Sequence, residues 1–153
     1  MTETKTPLKW QFKNIKACCS PMISNGTVFF GSYDGYVYAL DYKTGKEIWR
    51  FIAGFSYNSF IALENEMVFI GSADGYIYAL EHKTGKEIWK HLSTAEPNTG
   101  IVSNGVIYYG EREKYSGSGN MYIRALDCKT GKEKWQIKTE DIVMSLAISE
   151  GMI

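Results

Sequence analysis

The sequence predicts an all-β protein assembled from copies of one four-stranded antiparallel unit, and three observations predict it. Nearly the same twelve residues occur three times: YALDYKTGKEIW from Tyr38, YALEHKTGKEIW from Tyr78 and RALDCKTGKEKW from Arg124. Trp10, Trp49, Trp89 and Trp135 are spaced by 39, 40 and 46 residues, and Gly31, Gly71 and Gly110 by 40 and 39, a period that marks a repeat architecture. Turn dipeptides separate short apolar runs, and no stretch keeps a helical period over about ten residues.

In the first repeat the strands are expected at 19–24, 27–31, 36–40 and 47–51. Ser24-Asn25-Gly26 is the turn between the first two. Asp34-Gly35, repeated at Asp74-Gly75, closes the second hairpin, because glycine accepts a positive φ at little steric cost. In the third hairpin Asp41 is placed to bond its own downstream amides, and Gly45 supplies the left-handed residue. TVFFGS and GYVYAL are apolar on both faces, as strands between two layers are. Four-stranded sheets stacked face to face around an axis meet all these conditions, and that arrangement is a β-propeller. The tryptophan that closes each unit falls on its outermost strand. There the ring can wedge against the neighbouring blade and give its N–H to a backbone carbonyl. Trp10, Trp49, Trp89 and Trp135 are therefore structural.

The whole chain, 1–153, reads as one repeat array. Three blades are expected at about 17–53, 57–92 and 97–138, with a lone fourth strand at 8–13 and the opening of another blade at 143–153. Propellers close with about four to eight blades. Three readings follow: a fragment of a longer propeller, two chains joined head to tail as a homodimer with an eight-bladed ring, or one chain closed as a four-bladed ring.

Bulk composition narrows the function classes. With 44% apolar and 22% charged residues the chain is not of disordered type. Seventeen basic and seventeen acidic residues argue against a nucleic-acid surface or an anionic membrane as the main partner. No apolar run is long enough for membrane insertion, and MTETKTPLKW has no leader pattern, which leaves the compartment open. Cys18, Cys19 and Cys128 show neither a disulfide framework nor zinc spacing. His82 and His91 have no clear catalytic or metal partner, and the lysines of the Thr-Gly-Lys turns alternate with glutamates as a solvated face.

The candidates for binding lie on one rim. The third repeat carries an insertion, GEREKYSGSGN at 110–120: Gly31 to Ala39 is eight residues and Gly110 to Ala125 fifteen, so seven are extra. Insertions in one repeat tend to mark a binding face, which singles out Arg112 and Tyr115. Near the same rim the first strands begin. There Cys18 and Cys19 align with Tyr57 and Asn58, with Pro97 and Asn98, and with Val143 and Met144. Cys19, Tyr57, Asn58 and Asn98 vary while their frame repeats, and are the remaining candidates for a rim or channel site.

GSYDGYVYALDYKTGKEIW at 31–49 resembles the repeat of pyrroloquinoline-quinone (PQQ)-like β-propellers: a Gly-Ser, an Asp-Gly, a Tyr-Ala-Leu-Asp, a Thr-Gly-Lys and a closing Trp. Residues 71–89 repeat it with Glu81 for Asp, and residues 110–135 keep the second half. The resemblance implies two branches. The dehydrogenases hold PQQ and a calcium or lanthanide ion with carboxylate, amide, Arg, Thr and Glu groups, some beside a disulfide between adjacent cysteines. The non-enzymatic relatives, outer-membrane assembly lipoproteins among them, bind proteins. Cys18 and Cys19 are adjacent, but the rest of the quinone site is not found. The expectation is therefore a non-catalytic scaffold for a protein or peptide partner, with no cofactor. The alternative is part of a quinone-dependent dehydrogenase.

Overall fold

A computed structural model of the chain describes residues 10–12, 16–17, 19–54, 60–112, 121–141 and 143–148. They form three four-stranded antiparallel sheets. The first holds β1 (Met22–Ser24), β2 (Thr27–Gly31), β3 (Tyr36–Asp41) and β4 (Glu47–Ile52); the second β5 (Phe60–Glu64), β6 (Met67–Gly71), β7 (Tyr76–Glu81) and β8 (Glu87–Leu92). The third holds β9 (Glu96–Ser103), β10 (Val106–Arg112), β11 (Met121–Asp127) and β12 (Glu133–Thr139). Each sheet keeps sequence order, so each repeat is one blade of a partial β-propeller. β1, β5 and β9 touch across blades and line the axis, while β4, β8 and β12 form the periphery. No helix occurs among the described residues.

The turns form for the local reasons visible in the sequence. Asp41 Oδ1 accepts the Thr44 amide at 2.7 Å and the Thr44 hydroxyl at 2.6 Å, and Asp127 does the same for Thr130 at 3.0 and 2.9 Å. The register slips at Ala39/Leu40, Ala79/Leu80 and Ala125/Leu126, so each outer strand carries the same bulge two or three residues past its Thr-Gly-Lys turn. β1 starts at Met22, three residues later than expected, and Cys19 falls in a bend before it.

The two apolar faces of each blade meet different neighbours. Phe29, Val37, Ala39 and Trp49 point forward and pack with Ile61, Val68, Ile70 and Leu80 of the next blade. Phe69, Ile77 and Ala79 do the same toward Ile107, Tyr109 and Leu126. Phe29 and Phe69 are fully buried, whereas Tyr108, at the same place in the third blade, is half-buried.

Every described junction carries one further link. Trp49 Nε1 donates to His82 O at 2.9 Å, Trp89 Nε1 to Cys128 O at 2.9 Å, and Trp10 Nε1 to Tyr42 O at 2.9 Å. Each indole thus lies on the Thr-Gly-Lys turn of the blade that follows it. Gly45, Gly85 and Gly131 have φ of 68°, 69° and 66°, and an added Cβ would come within 2.5, 2.6 and 2.6 Å of Trp10, Trp49 and Trp89. Glycine is required there twice, by the left-handed backbone and by the ring above it.

His82 is unlike an ordinary turn residue. It holds a turn position yet is buried, its ring edge-on to Phe29 at 4.9 Å and its Nε2 3.3 Å from Ser24 O. The turn is covered by the preceding blade. Tyr42, in the equivalent turn of the first blade, is 47% exposed.

Trp49 is buried and bonded, whereas the Trp135 ring is half-buried beside Tyr108 at 5.8 Å. Trp49→Ala is expected to cost about 3–5 kcal/mol in denaturant unfolding. Trp135→Ala is expected to cost markedly less, and equal losses would contradict this assignment of the junctions.

Candidate functional site

The two rims are distinct. On one, the turns between first and second and between third and fourth strands are joined, as by Tyr42 N to Gly26 O at 2.9 Å and His82 N to Glu66 O at 2.9 Å. On the other, the second hairpin meets the connection that leaves the blade: Ala53 N donates to Gly35 O at 3.0 Å and Ser93 N to Gly75 O at 2.9 Å. Among the described candidate residues, Cys19, Asn98 and Arg112 lie near the strand ends of this second rim.

In the first two blades this rim is built alike. Tyr38 Oη donates to Asp34 Oδ2 at 2.7 Å, and Tyr78 Oη to Asp74 Oδ2 at 2.7 Å. Burial resists ionisation of Asp34, but the Tyr38 hydroxyl and the Tyr36 amide outweigh it and hold the carboxyl below its ordinary range. Ser72 Oγ donates across the junction to Ala53 O.

The third blade is built differently. Glu111 stands where Ser32 and Ser72 stand, and Arg124 where Tyr38 and Tyr78 stand. Ser93 and Thr94 take the places of Ala53 and Gly54. These four replacements meet in one network. Arg124 Nε donates to Glu111 Oε1 at 2.5 Å, its Nη1 to Glu133 Oε2 at 2.5 Å and its Nη2 to Thr94 Oγ1 at 2.8 Å. Thr94 Oγ1 donates to Glu111 Oε1 at 2.8 Å, Ser93 Oγ donates to Glu111 Oε2, and Ser93 Oγ lies 3.3 Å from Tyr109 Oη. The Glu111 side chain is fully buried and that of Arg124 8% exposed. Burial opposes the charge on Arg124, but bonds to Glu111 and Glu133 raise its pKa overall. Burial first, with the Glu111 charge beside it, pushes the Tyr109 hydroxyl above its ordinary value. The network ties the third blade to the second directly below the insertion, since Arg112 ends β10 and Met121 begins β11.

Of the residues singled out from sequence, Tyr57, Asn58 and Tyr115 lie outside the described residues. Arg112 closes β10, paired with Met121 and Glu96. Cys19 is a half-buried free thiol whose sulfur accepts the Gly31 amide at 3.2 Å, and burial pushes its pKa up. A thiol so held is a poor nucleophile at neutral pH. Asn98 lies on the innermost strand, its Nδ2 donating to Val143 O at 2.9 Å, and its buried Oδ1 has no partner among the described residues. The registers also move one alignment. Phe60 stands opposite Gly71 and Thr99 opposite Gly110, so position 59, not Asn58, corresponds to Asn98.

The sequence profile of the family described as outer membrane protein assembly factor BamB matches residues 6–145. The chain belongs to that family. BamB from Moraxella catarrhalis superposes with a TM-score of 0.67 at 17% identity, over 85% of this chain and 37% of that one. Quinohemoprotein alcohol dehydrogenase from Comamonas testosteroni gives 0.65 at 25% identity, over 82% of this chain and 21% of that one. The computationally designed Ika4 protein gives 0.68 at 19% identity, over 98% of this chain and 89% of that one. This BamB-family chain thus spans well under two thirds of the length of the natural proteins it matches. No curated protein matches it.

The dehydrogenase branch of the resemblance implies a metal ion. Among the described residues no three His, Cys, Asp or Glu side chains converge as a metal ion requires. The described residues of this BamB-family chain therefore do not fit that group, and no chemistry is derived through it.

Removing one partner of a buried ion pair strands the other charge. Glu111→Ala is expected to cost about 3–5 kcal/mol in chemical unfolding. The double change Glu111→Ser with Arg124→Tyr restores the pattern of the first two blades and is expected to cost much less than the sum of the single changes. Additive losses would show that the two side chains are not one unit.

Proposed function

We propose that this chain is a non-catalytic, protein-binding part of a BamB-family propeller, and that it takes its partner on the rim carrying the 110–120 connection. The observation that carries this reading is the rebuilt third blade. Two positions that keep the repeat in the first two blades change together there, to Glu111 and Arg124, and with Ser93 and Thr94 of the preceding blade they form a buried network at the strand ends that the enlarged connection joins. A surface that must hold an inserted loop in place for a partner needs such a foundation. The family's description as an outer-membrane protein assembly factor supports a protein or peptide as the partner. The rim needs no cofactor to act in this way.

The fold similarity to a quinohemoprotein dehydrogenase motivates the second reading, a part of a quinone-dependent enzyme. The missing donor set among the described residues weighs against it.

Two experiments test the proposal. A photo-crosslinking side chain placed at Tyr115 and, as control, at Thr44 on the opposite rim should be activated in cells of the source organism. The expected result is a discrete protein adduct from position 115 and none from position 44. Equal adducts from both, or none from 115, would overturn the assignment of the rim. Purified protein incubated with quinone and calcium should leave an artificial electron acceptor unreduced with alcohols and sugars, and reduction would establish the second reading.

A further inference from the structure

Three hairpins join a first strand to a second, and each turns on an asparagine in the left-handed region. The turn residues are Asn25-Gly26, Asn65-Glu66 and Asn104-Gly105, with φ of 46° and 75°, 51° and 58°, and 53° and 75°. In each, the second residue gives its carbonyl to the third hairpin of the same blade: Gly26 O accepts the Tyr42 amide, Glu66 O the His82 amide and Gly105 O the Cys128 amide, all at 2.9 Å. The turns differ at the nitrogen of that second residue, and this nitrogen can react.

The backbone nitrogen after an asparagine can attack the side-chain carbon Cγ. An N–Cγ bond forms, the Cγ–Nδ2 bond breaks, and ammonia leaves with the proton that the backbone amide gives up. The cyclic imide then takes up water at either carbonyl and opens to aspartate or to isoaspartate. Water is the only co-reactant. The attack needs a following residue with no side chain in the way and an amide free to swing onto Cγ. It also needs a hairpin that opens, because the closed turn holds the two atoms apart.

Of the three turns, the first meets all these conditions. Asn25 and Gly26 are exposed, and the Gly26 amide donates to no described residue. The strand before it, β1, has three residues, of which Met22 and Ile23 are exposed. In the second turn Glu66 puts a side chain on the attacking residue, and its carboxylate lies 3.4 Å from Lys83 Nζ. In the third the Gly105 amide donates to Glu64 Oε2 of the preceding blade at 2.8 Å, which holds the nitrogen away from Asn104, and the hairpin is closed by the eight residues of β9.

We propose that Asn25 is a site of spontaneous covalent modification, converting to aspartate and isoaspartate in the folded protein while Asn65 and Asn104 are spared. Isoaspartate lengthens the main chain of the turn by a methylene and adds a carboxylate. The Tyr42 amide then loses its alignment with Gly26 O, and the first hairpin of the first blade loosens as the protein ages. The inference does not depend on the other rim or its partner.

The test is mass spectrometry of tryptic peptides from the purified chain aged in warm, mildly alkaline buffer, reading the mass gain of an amide turned to an acid at each position. In the folded protein position 25 is expected to convert about tenfold faster than position 104, and position 65 more slowly still. In concentrated urea positions 25 and 104 should convert at similar rates, because both are Asn-Gly. Glu64→Ala frees the Gly105 amide and should raise the rate at position 104, with circular dichroism and the rate at position 25 unchanged. Glu64→Gln keeps an acceptor there and should leave position 104 slow. A position 25 that stays unconverted in the folded chain while it converts in urea would overturn the proposal. So would equal rates at positions 25 and 104 in the folded chain.

Discussion

An indole ring pressed on a glycine joins one repeat to the next, and the rest of the array depends on that contact. The tryptophan is the last large residue of a blade, and the glycine belongs to the third hairpin of the blade after it. The glycine answers both to the left-handed turn of its own hairpin and to the ring that the preceding blade lays on it. Together they set the distance between blades, deliver an N–H to a carbonyl that the turn would otherwise leave to water, and close the periphery over the aliphatic side chains between the sheets. The turn residue whose carbonyl is taken, Tyr42, His82 or Cys128, is buried wherever a complete blade lies before it. The burial of His82 and of Cys128, whose thiol burial drives up to about 12, follows from this link rather than from any chemistry of their own.

A frame repeated this strictly makes departures informative. The first two blades end their second hairpins with Asp-Gly and brace them with a tyrosine hydroxyl. The third gives up the short hairpin, and with it the tyrosine–aspartate bond. An arginine replaces the tyrosine, a glutamate replaces the serine beside it, and the preceding blade contributes two hydroxyls. Buried ion pairs add little to stability on balance, but once formed they are hard to break singly. The result is a buried, interlocked base at the ends of β10 and β11. The open faces are the second departure: residues that every interior junction buries are half-exposed at the back of the first blade and the front of the third.

How far the sequence reveals this structure depends on how local each feature is. The hairpins, the blade order and the role of the tryptophans were legible, because turn glycines, a period near 40 residues and two-faced apolar strands act within a few residues or repeat at fixed spacing. One turn escaped the pattern. The second blade has Asn65-Glu66 for Asn-Gly and still places both residues at positive φ, 51° and 58°. The Arg124 network was not read, because Ser93, Thr94, Glu111, Arg124 and Glu133 come from four separate stretches and meet only when two blades stack. Its signal lay in the third repeat, where GE replaces GS and RAL replaces YAL. Cys19 lies in the bend before β1 with its sulfur on the Gly31 amide, Asn98 lies on β9 with its amide on Val143 O, and the burial of His82 could not be foreseen without the turn-covering role of Trp49.

The central claim, that tryptophan on glycine holds the blades together, is tested most directly by comparing two glycines with the same backbone demand. Gly85 and Gly105 have φ of 69° and 75°; a Cβ on Gly85 would meet the Trp49 ring at 2.6 Å, whereas one on Gly105 would meet nothing within 4 Å. Alanine at either position costs about 1–2 kcal/mol for the left-handed backbone. In denaturant unfolding, Gly85→Ala is expected to lose at least a further ~2 kcal/mol because the indole must leave its seat. Equal losses from the two substitutions would mean that the ring yields without cost, and the account of the junction would be wrong.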